Sequence, residues 1–187
     1  MRFASVLSAG VWAVAVVAGA LCGCSSTAGS SYTPMALGLS PRGAVVDDVP
    51  VLRVVDGDTI HVLVEGRDTT VRLLGINTPE TVKPNSPVEC FGPEASAFTK
   101  QTLDGQRVTL EFDDSQGRLD RYGRTLAYVW LAGPDGGRDL FNRDLVASGY
   151  AYQRQYGPAP VSWQSELVDA ENQARSAGTG LWGACRS

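Results

Sequence analysis

The chain has 187 residues, a formal net charge of −4, four cysteines and a single histidine. That length accommodates one domain with a real core and crowds two, and an apolar share of 43% excludes a largely disordered chain. The acidic balance excludes nucleic-acid binding by bulk positive charge, so any such site must rest on a few well-placed arginines and a metal ion. At the N-terminus, Arg2 precedes an apolar run from Val6 to Leu21. At about 15 residues this run is short for a membrane span and suits the core of a signal peptide. It ends in Leu21-Cys22-Gly23-Cys24, which resembles a bacterial lipobox, where the chain is cut before a cysteine that then carries lipid. Cys24 fits that role; Cys22 fits it worse because the large Leu21 precedes it. An ordinary cleaved signal with an incidental cysteine is the alternative. Loss of residues 1–23 leaves Cys90 and Cys185 in the body of the chain. Outside the cytoplasm an even pair reads as a disulfide, with two free thiols as the alternative. Residues 24–48, rich in Ser, Gly, Thr, Ala and Pro, read as a flexible tether, and the domain is expected over 49–187.

From Val49 the pattern turns β-like. Val51-Leu52-Arg53-Val54-Val55 is a β-branched run that stops at the turn signal Asp56-Gly57-Asp58. Ile60, Val62 and Val64 alternate with His61 and Leu63 as a half-buried strand, which directs His61 to solvent. Glu65-Gly66-Arg67-Asp68 predicts a hairpin turn, and Thr70 to Gly75 a third strand that carries Arg72. Pro93 can open a helix that runs to about Leu103, with Glu94 suited to its first turn. Val108, Leu110 and Phe112 alternate as a fourth strand, and Arg124 to Leu131 forms a fifth. Glu111, Asp113 and Asp114 read as a solvated strand end. Leu140, Phe141, Leu145 and Val146 share one face of a short helix, and a last helix runs from about Val161 to Ala177, where Trp163 packs as core. The sum is an α+β domain: an OB-type five-stranded Greek-key β-barrel with three helices.

The chemistry gathers at strand ends. Asp56 and Asp58 flank Gly57, while Asn77, Thr78 and Glu80 close the third strand. Carboxylates and an amide are hard oxygen donors that suit calcium or magnesium and not zinc. Arg72 and Arg124 could hold a phosphate by bidentate hydrogen bonds. Metal, arginine pair and spare carboxylate together suit phosphodiester hydrolysis, since cations offset developing charge and a carboxylate handles water. Singly each piece is weak, and the sequence does not show that they converge.

The chain resembles the staphylococcal nuclease (thermonuclease) family. The resemblance is carried by Val55-Asp56-Gly57-Asp58-Thr59, by Arg72 to Thr81 (Arg72-Leu73-Leu74-Gly75-Ile76-Asn77-Thr78-Pro79-Glu80-Thr81), by Phe91 to Lys100 and by Asp120-Arg121-Tyr122-Gly123-Arg124. It continues through Leu126-Ala127-Tyr128 and Asn142 to Gly180-Leu181-Trp182, in the same order and spacing. It implies an OB-type barrel with three helices. It also implies Ca2+ held by Asp58, by Asn77 in the second ligand position and by the Thr78 carbonyl, with Asp56 as a supporting carboxylate behind them. Arg72 and Arg124 resemble the phosphate-binding pair, with Arg124 also serving the leaving oxygen. Glu80 resembles the general base, and Arg121 and Tyr122 resemble contacts to a terminal phosphate. The implied reaction cleaves DNA and RNA at the 5′ oxygen and leaves 3′ phosphates.

Two departures carry consequences. Asn77 stands where the family archetype has Asp, so the site loses one negative charge and calcium is expected to bind more weakly. Asn85-Ser86-Pro87 replaces a lysine-rich stretch, which lowers the positive charge beside the substrate. Tyr152 and Tyr156 fall where the alignment slips, and neither is assigned a role. A non-catalytic OB-fold module that binds nucleic acid at the cell surface is the second reading, supported by Asn77, and a purely structural surface lipoprotein is the third. The expected partners are DNA and RNA as substrate and a membrane through the Cys24 lipid, and nothing in the sequence asks for more than a monomer.

Overall fold

Alternating β-branched residues separated by short turns build a barrel, because each strand has one apolar face to bury. The structure, a computed structural model, describes residues 38–81, 87–133 and 136–185, all within one compact unit. The expected signal peptide, Cys24, most of the expected tether and Asn85-Ser86 lie outside them. Five strands close the ring: β1 (Val45–Val54), β2 (Thr59–Val64), β3 (Arg67–Leu73), β5 (Arg107–Glu111) and β6 (Thr125–Ala132). Their order is β3-β2-β1-β5-β6, and β6 returns to β3 as a parallel pair. This is the OB topology.

The first strand serves two neighbours. Its N-terminal half pairs with β5 (Val49 opposite Val108) and its C-terminal half with β2 (Val54 opposite Ile60). Register shifts between Val46 and Val49 and between Val51 and Arg53 bend it from one partner to the other. The strand begins at Val45, ahead of the Val49 at which the sequence pattern turns β-like. Three short strands join the five: β4 (Ile76–Asn77), β7 (Arg138–Leu140) and β8 (Tyr152–Gln153). Two-residue pieces such as β4 and β8 carry no periodicity, and only their mutual pairing defines them.

Ile60, Val62, Val71, Leu110, Ala127 and Val129 fill the barrel at 0% exposure. Helix α1 (Gly92–Leu103) covers one end with Ala95, Thr99 and Leu103 buried. Helix α2 (Phe141–Ala147) is buried from Phe141 to Val146. Its Asn142 accepts from the Val129 N–H and donates to the Leu74 carbonyl, both at 2.9 Å, so it fastens the helix to β6 and to the turn beyond β3. Helix α3 (Gln164–Ala177) starts three residues after Val161, and a further single turn, α4 (Leu181–Ala184), follows it. Among the described residues no helix is long and apolar enough to cross a membrane.

Glu111 and Asp113 correct the expectation of a solvated strand end. Glu111 is fully buried and Asp113 is 4% exposed; of the three, only Asp114 is exposed. Glu111 accepts four hydrogen bonds: the Arg42 and Gly43 N–H groups at 2.6 and 2.8 Å on Oε1, and the Trp130 and Trp163 indoles at 2.8 and 3.0 Å on Oε2. Both faces of the strand end are therefore inside, because the segment 161–164 and the entry to β1 fold over it. Asp113 receives Tyr128 Oη, Ser115 and Ser162. Burial and that carboxylate hold the Tyr128 phenol protonated well above its usual range. His61 lies on the outer side of β2 as expected, half-buried, with Nδ1 2.5 Å from Asp68. Trp163 is core, edge-on to Trp130.

Cys90 and Cys185 form a disulfide with Cα atoms 5.9 Å apart. It joins the approach to α1 to the end of α4.

Candidate active site

A groove of about 650 Å3 is lined by Asp56, Asp58, Arg72, Asn77, Thr78, Glu80, Arg121, Tyr122 and Arg124. These are all nine of the residues that the sequence nominated for metal, phosphate and catalysis, contributed by three separate segments. Antiparallel pairing sets Arg72 opposite Thr59, beside Asp58. Parallel pairing sets Val71 opposite Thr125, so Arg124, immediately before it, emerges near the same strand end.

The β1–β2 turn brings Asp58 to the segment after β4. Asp58 Oδ2 accepts the Thr78 N–H at 2.9 Å, and the Leu73 N–H donates to the Asp58 carbonyl at 2.9 Å. Gly57 makes the approach possible, since a Cβ there would lie 2.6 Å from Thr78 Cγ2. Gly75, at φ 74, turns the chain from β3 into β4 and stands where a Cβ would meet Leu167 at 2.5 Å. Both positions therefore require glycine for space or conformation.

Arg72 is 7% exposed. Its Nη1 donates to the Leu73 carbonyl at 2.7 Å, and its Nη2 reaches Asp58 Oδ2 at 3.0 Å, Asn77 Oδ1 at 3.1 Å and Tyr156 Oη at 3.2 Å. One guanidinium nitrogen thus touches both proposed ligand side chains, which places their oxygens close together. Asn77 Nδ2 donates to the Thr78 carbonyl at 3.2 Å, which brings the third oxygen to the same place. Asp56 Oδ1 accepts the Asp58 N–H at 3.1 Å. Burial, then the neighbouring Asp58 carboxylate, push Asp56 up to about 6. The donors are all oxygen, one carboxylate, one amide and one carbonyl, and they fit a hard divalent cation. Among the described residues no cluster of three or more His, Cys, Asp or Glu side chains forms a metal centre.

Across the groove, Asp120 orients Arg124. Its Oδ2 accepts Nε at 2.7 Å and its Oδ1 accepts the Arg124 N–H at 2.9 Å. Burial pushes the Asp120 carboxyl up, but these bonds and the Tyr122 N–H outweigh it and hold it below the usual carboxylate range. Tyr122 is 67% exposed, with Arg121 at 4.7 Å and Arg124 at 5.4 Å from its ring centre. Glu80 is half-buried, and its Oε1 accepts the Thr81 N–H at 2.9 Å.

The structure adds residues to which the sequence gave no role. Tyr156 donates to Asn77 Oδ1 at 2.6 Å, and Arg154, Gln116, Glu89 and Asp120 line the same groove. Tyr156 arrives because β8 pairs with β4, Tyr152 opposite Asn77; no motif announces that pairing. Asp120 was visible inside Asp120-Arg121-Tyr122-Gly123-Arg124, where its four-residue spacing from Arg124 was the available signal.

Fold and groove define an OB-barrel protein whose groove gathers arginines, carboxylates and neutral oxygen donors at one strand end. A family model described as staphylococcal nuclease homologue matches residues 70–184. The thermonucleases of Staphylococcus hyicus and Staphylococcus intermedius are 46% and 45% identical to it over 132 residues, which cover 71% of this chain and 73% and 74% of those proteins. The SPbeta prophage-derived endonuclease YokF of Bacillus subtilis is 38% identical over 135 residues, 72% of this chain and 44% of that protein. The chain belongs to the staphylococcal nuclease family and is a hydrolase of the nuclease class.

Proposed function

We propose that this chain is an exported, calcium-dependent nuclease. In this reading it hydrolyses phosphodiester bonds of DNA and RNA at the 5′ oxygen and leaves 3′ phosphates. A lipid on Cys24 holds it at the outer face of the cell membrane. The observation that carries the catalytic reading is the meeting of Arg72, Glu80 and Arg124 with the oxygen donors in one groove. Asp58, Asn77 and the Thr78 carbonyl would hold calcium, and Asp56 supports Asp58 through its N–H. When bound, the ion supplies positive charge that offsets the phosphate and the charge developing on it.

Arg72 and Arg124 grip the non-bridging oxygens from two sides. Glu80 orients a water in line with the bond to be broken and takes its proton. Arg124, aimed by Asp120, donates a hydrogen bond to the departing 5′ oxygen, where charge grows only in the transition state. Arg121 and Tyr122 present a cation and a ring at the groove's rim, suited to a flanking phosphate and its nucleoside.

The Cys90–Cys185 disulfide supports export, since such bonds persist in oxidising compartments. The anchor rests on the sequence around Cys24.

The purified chain is to be tested on denatured DNA with calcium and with a chelator. Calcium-dependent release of acid-soluble nucleotides is expected; retarded strands without cleavage favour a binding module instead. Arg124→Ala is expected to abolish turnover far more than it weakens binding, and retained turnover refutes its role. Incorporation of labelled fatty acid, lost in Cys24→Ala, checks the anchor.

A further inference from the structure

Glu80 is held from behind by the chain that leads into α1. The Glu80 N–H donates to Glu89 Oε2 at 2.9 Å, and the Glu89 N–H donates back to the Glu80 carbonyl at 2.9 Å. The Glu80 carboxylate itself accepts from the Thr81 N–H at 2.9 Å, which ties it to the same stretch of backbone that Glu89 holds. Gly92 closes the arrangement: its N–H donates to the Glu89 carbonyl at 3.0 Å, and a Cβ there would stand 3.0 Å from the Glu80 carbonyl.

What fixes Glu89 is not burial. Residues 87–90 are all exposed, and the segment places no apolar side chain in the core. The next residue, Cys90, is bonded to Cys185. The partner end is firm: Leu181 of α4 is 2% exposed, its N–H donates to the Gly149 carbonyl at 2.9 Å, and the Cys185 N–H donates to the Leu181 carbonyl at 2.9 Å. A continuous line of constraint therefore runs from the C-terminal turn through the disulfide and Glu89 to Glu80.

We propose that Glu89 is a positioning residue for Glu80, and that the Cys90–Cys185 disulfide keeps Glu89 in place. The disulfide thereby serves catalysis as well as stability. The inference rests on the reading of Glu80 as the group that handles the attacking water.

The test uses the full chain and its Glu80→Ala, Glu89→Ala, Glu89→Gln and Cys90→Ser/Cys185→Ser variants. Each is assayed with calcium and denatured DNA at a temperature where near-ultraviolet circular dichroism shows it folded. Glu89→Ala is expected to lower kcat about ten- to a hundredfold, the scale of a small misplacement of a reacting group, with KM changed by less than about twofold. Glu89→Gln, whose amide oxygen still accepts from the Glu80 N–H, is expected to recover most of that loss. The double cysteine variant is expected to lose kcat in the same way while folded, and Glu89→Ala added to it to cost little more, because both act through Glu80. A purely stabilising disulfide leaves kcat of the folded variant unchanged, and that result overturns its part of the proposal. Wild-type kcat in Glu89→Ala beside an inactive Glu80→Ala overturns the proposal alone. Full activity in Glu80→Ala overturns the reading of Glu80, and the proposal with it.

Discussion

In the proposed calcium site, Asn77 stands where charge would set cation affinity. Its Oδ1 is shared between Arg72 and Tyr156, and its Nδ2 holds the Thr78 carbonyl, so the site is neutral at a position where the family archetype carries a carboxylate. One added unit charge about 4 Å from a cation is worth about 1 kcal/mol or more even in water-like surroundings. Asn77→Asp is therefore expected to tighten calcium roughly fivefold or more in a calorimetric titration; an unchanged affinity removes the electrostatic argument. Two other carboxylates contribute to acid behaviour. Burial pushes Asp113 up, but hydrogen bonds from Ser162 and Ser115 outweigh it, so its carboxyl lies below the usual range, as does that of Asp120. A lowered folded-state pKa gives stability that is fully present above the unfolded value of about 3.9 and is lost as pH falls through the folded value. The urea midpoint is expected to fall below pH 4, and Asp113→Asn with Asp120→Asn to flatten that fall. An acid profile identical to wild type contradicts the assignment.

At the scale of elements, the site is made by turns that touch. The β1–β2 turn carries Asp58, the β3–β4 turn leads to Asn77 and Thr78, and Gly57 packs directly against Thr78, with no room for a Cβ between them. The Gly57 carbonyl also accepts Thr99 Oγ1 of α1 at 2.7 Å, so the turn is pinned on two sides. Gly57→Ala would press on Thr78, and overpacking of this kind costs about 1–3 kcal/mol. Because the strain falls on the segment of the proposed calcium ligands, calcium affinity and kcat/KM are expected to drop about tenfold or more, with a fall in Tm of roughly 3–12 °C. A large loss of Tm with normal calcium binding shows that the strain went elsewhere.

For the whole molecule, an acidic protein must bind a polyanion through local charge. The described groove is lined by Arg72, Arg121, Arg124 and Arg154, within a chain of net charge −4. If each meets one phosphate of a single strand, log K falls against log salt with a slope of about −3 at most. Binding of denatured DNA to the catalytically inactive Arg124→Ala variant is expected to show a slope about 0.7 shallower than that of wild type, measured for the latter in chelator. A slope much steeper than −3 points to basic surface beyond the groove.

Much of this was legible in the chain. Alternation at Ile60, Val62 and Val64 and at Val108 and Leu110 defined barrel strands, because period-two burial is a local property of a strand. Motif order nominated Asp58, Arg72, Asn77, Glu80 and Arg124, since chemistry at strand ends leaves fixed residue types at fixed spacing. Two kinds of fact were decided only by tertiary structure. Glu111 and Asp113 look like solvated charge until Trp130, Trp163 and Ser162 arrive from far along the chain to satisfy them. Tyr156 and Glu89 have no local signature, and their place in the groove follows from the β4–β8 pairing and from the Glu80–Glu89 bonds. Local patterning marks the barrel strands and nominates the side chains that line the groove, because burial period and residue chemistry are written locally. Only the folded chain decided which polar groups meet, because a hydrogen bond between distant residues depends on how strands close in space.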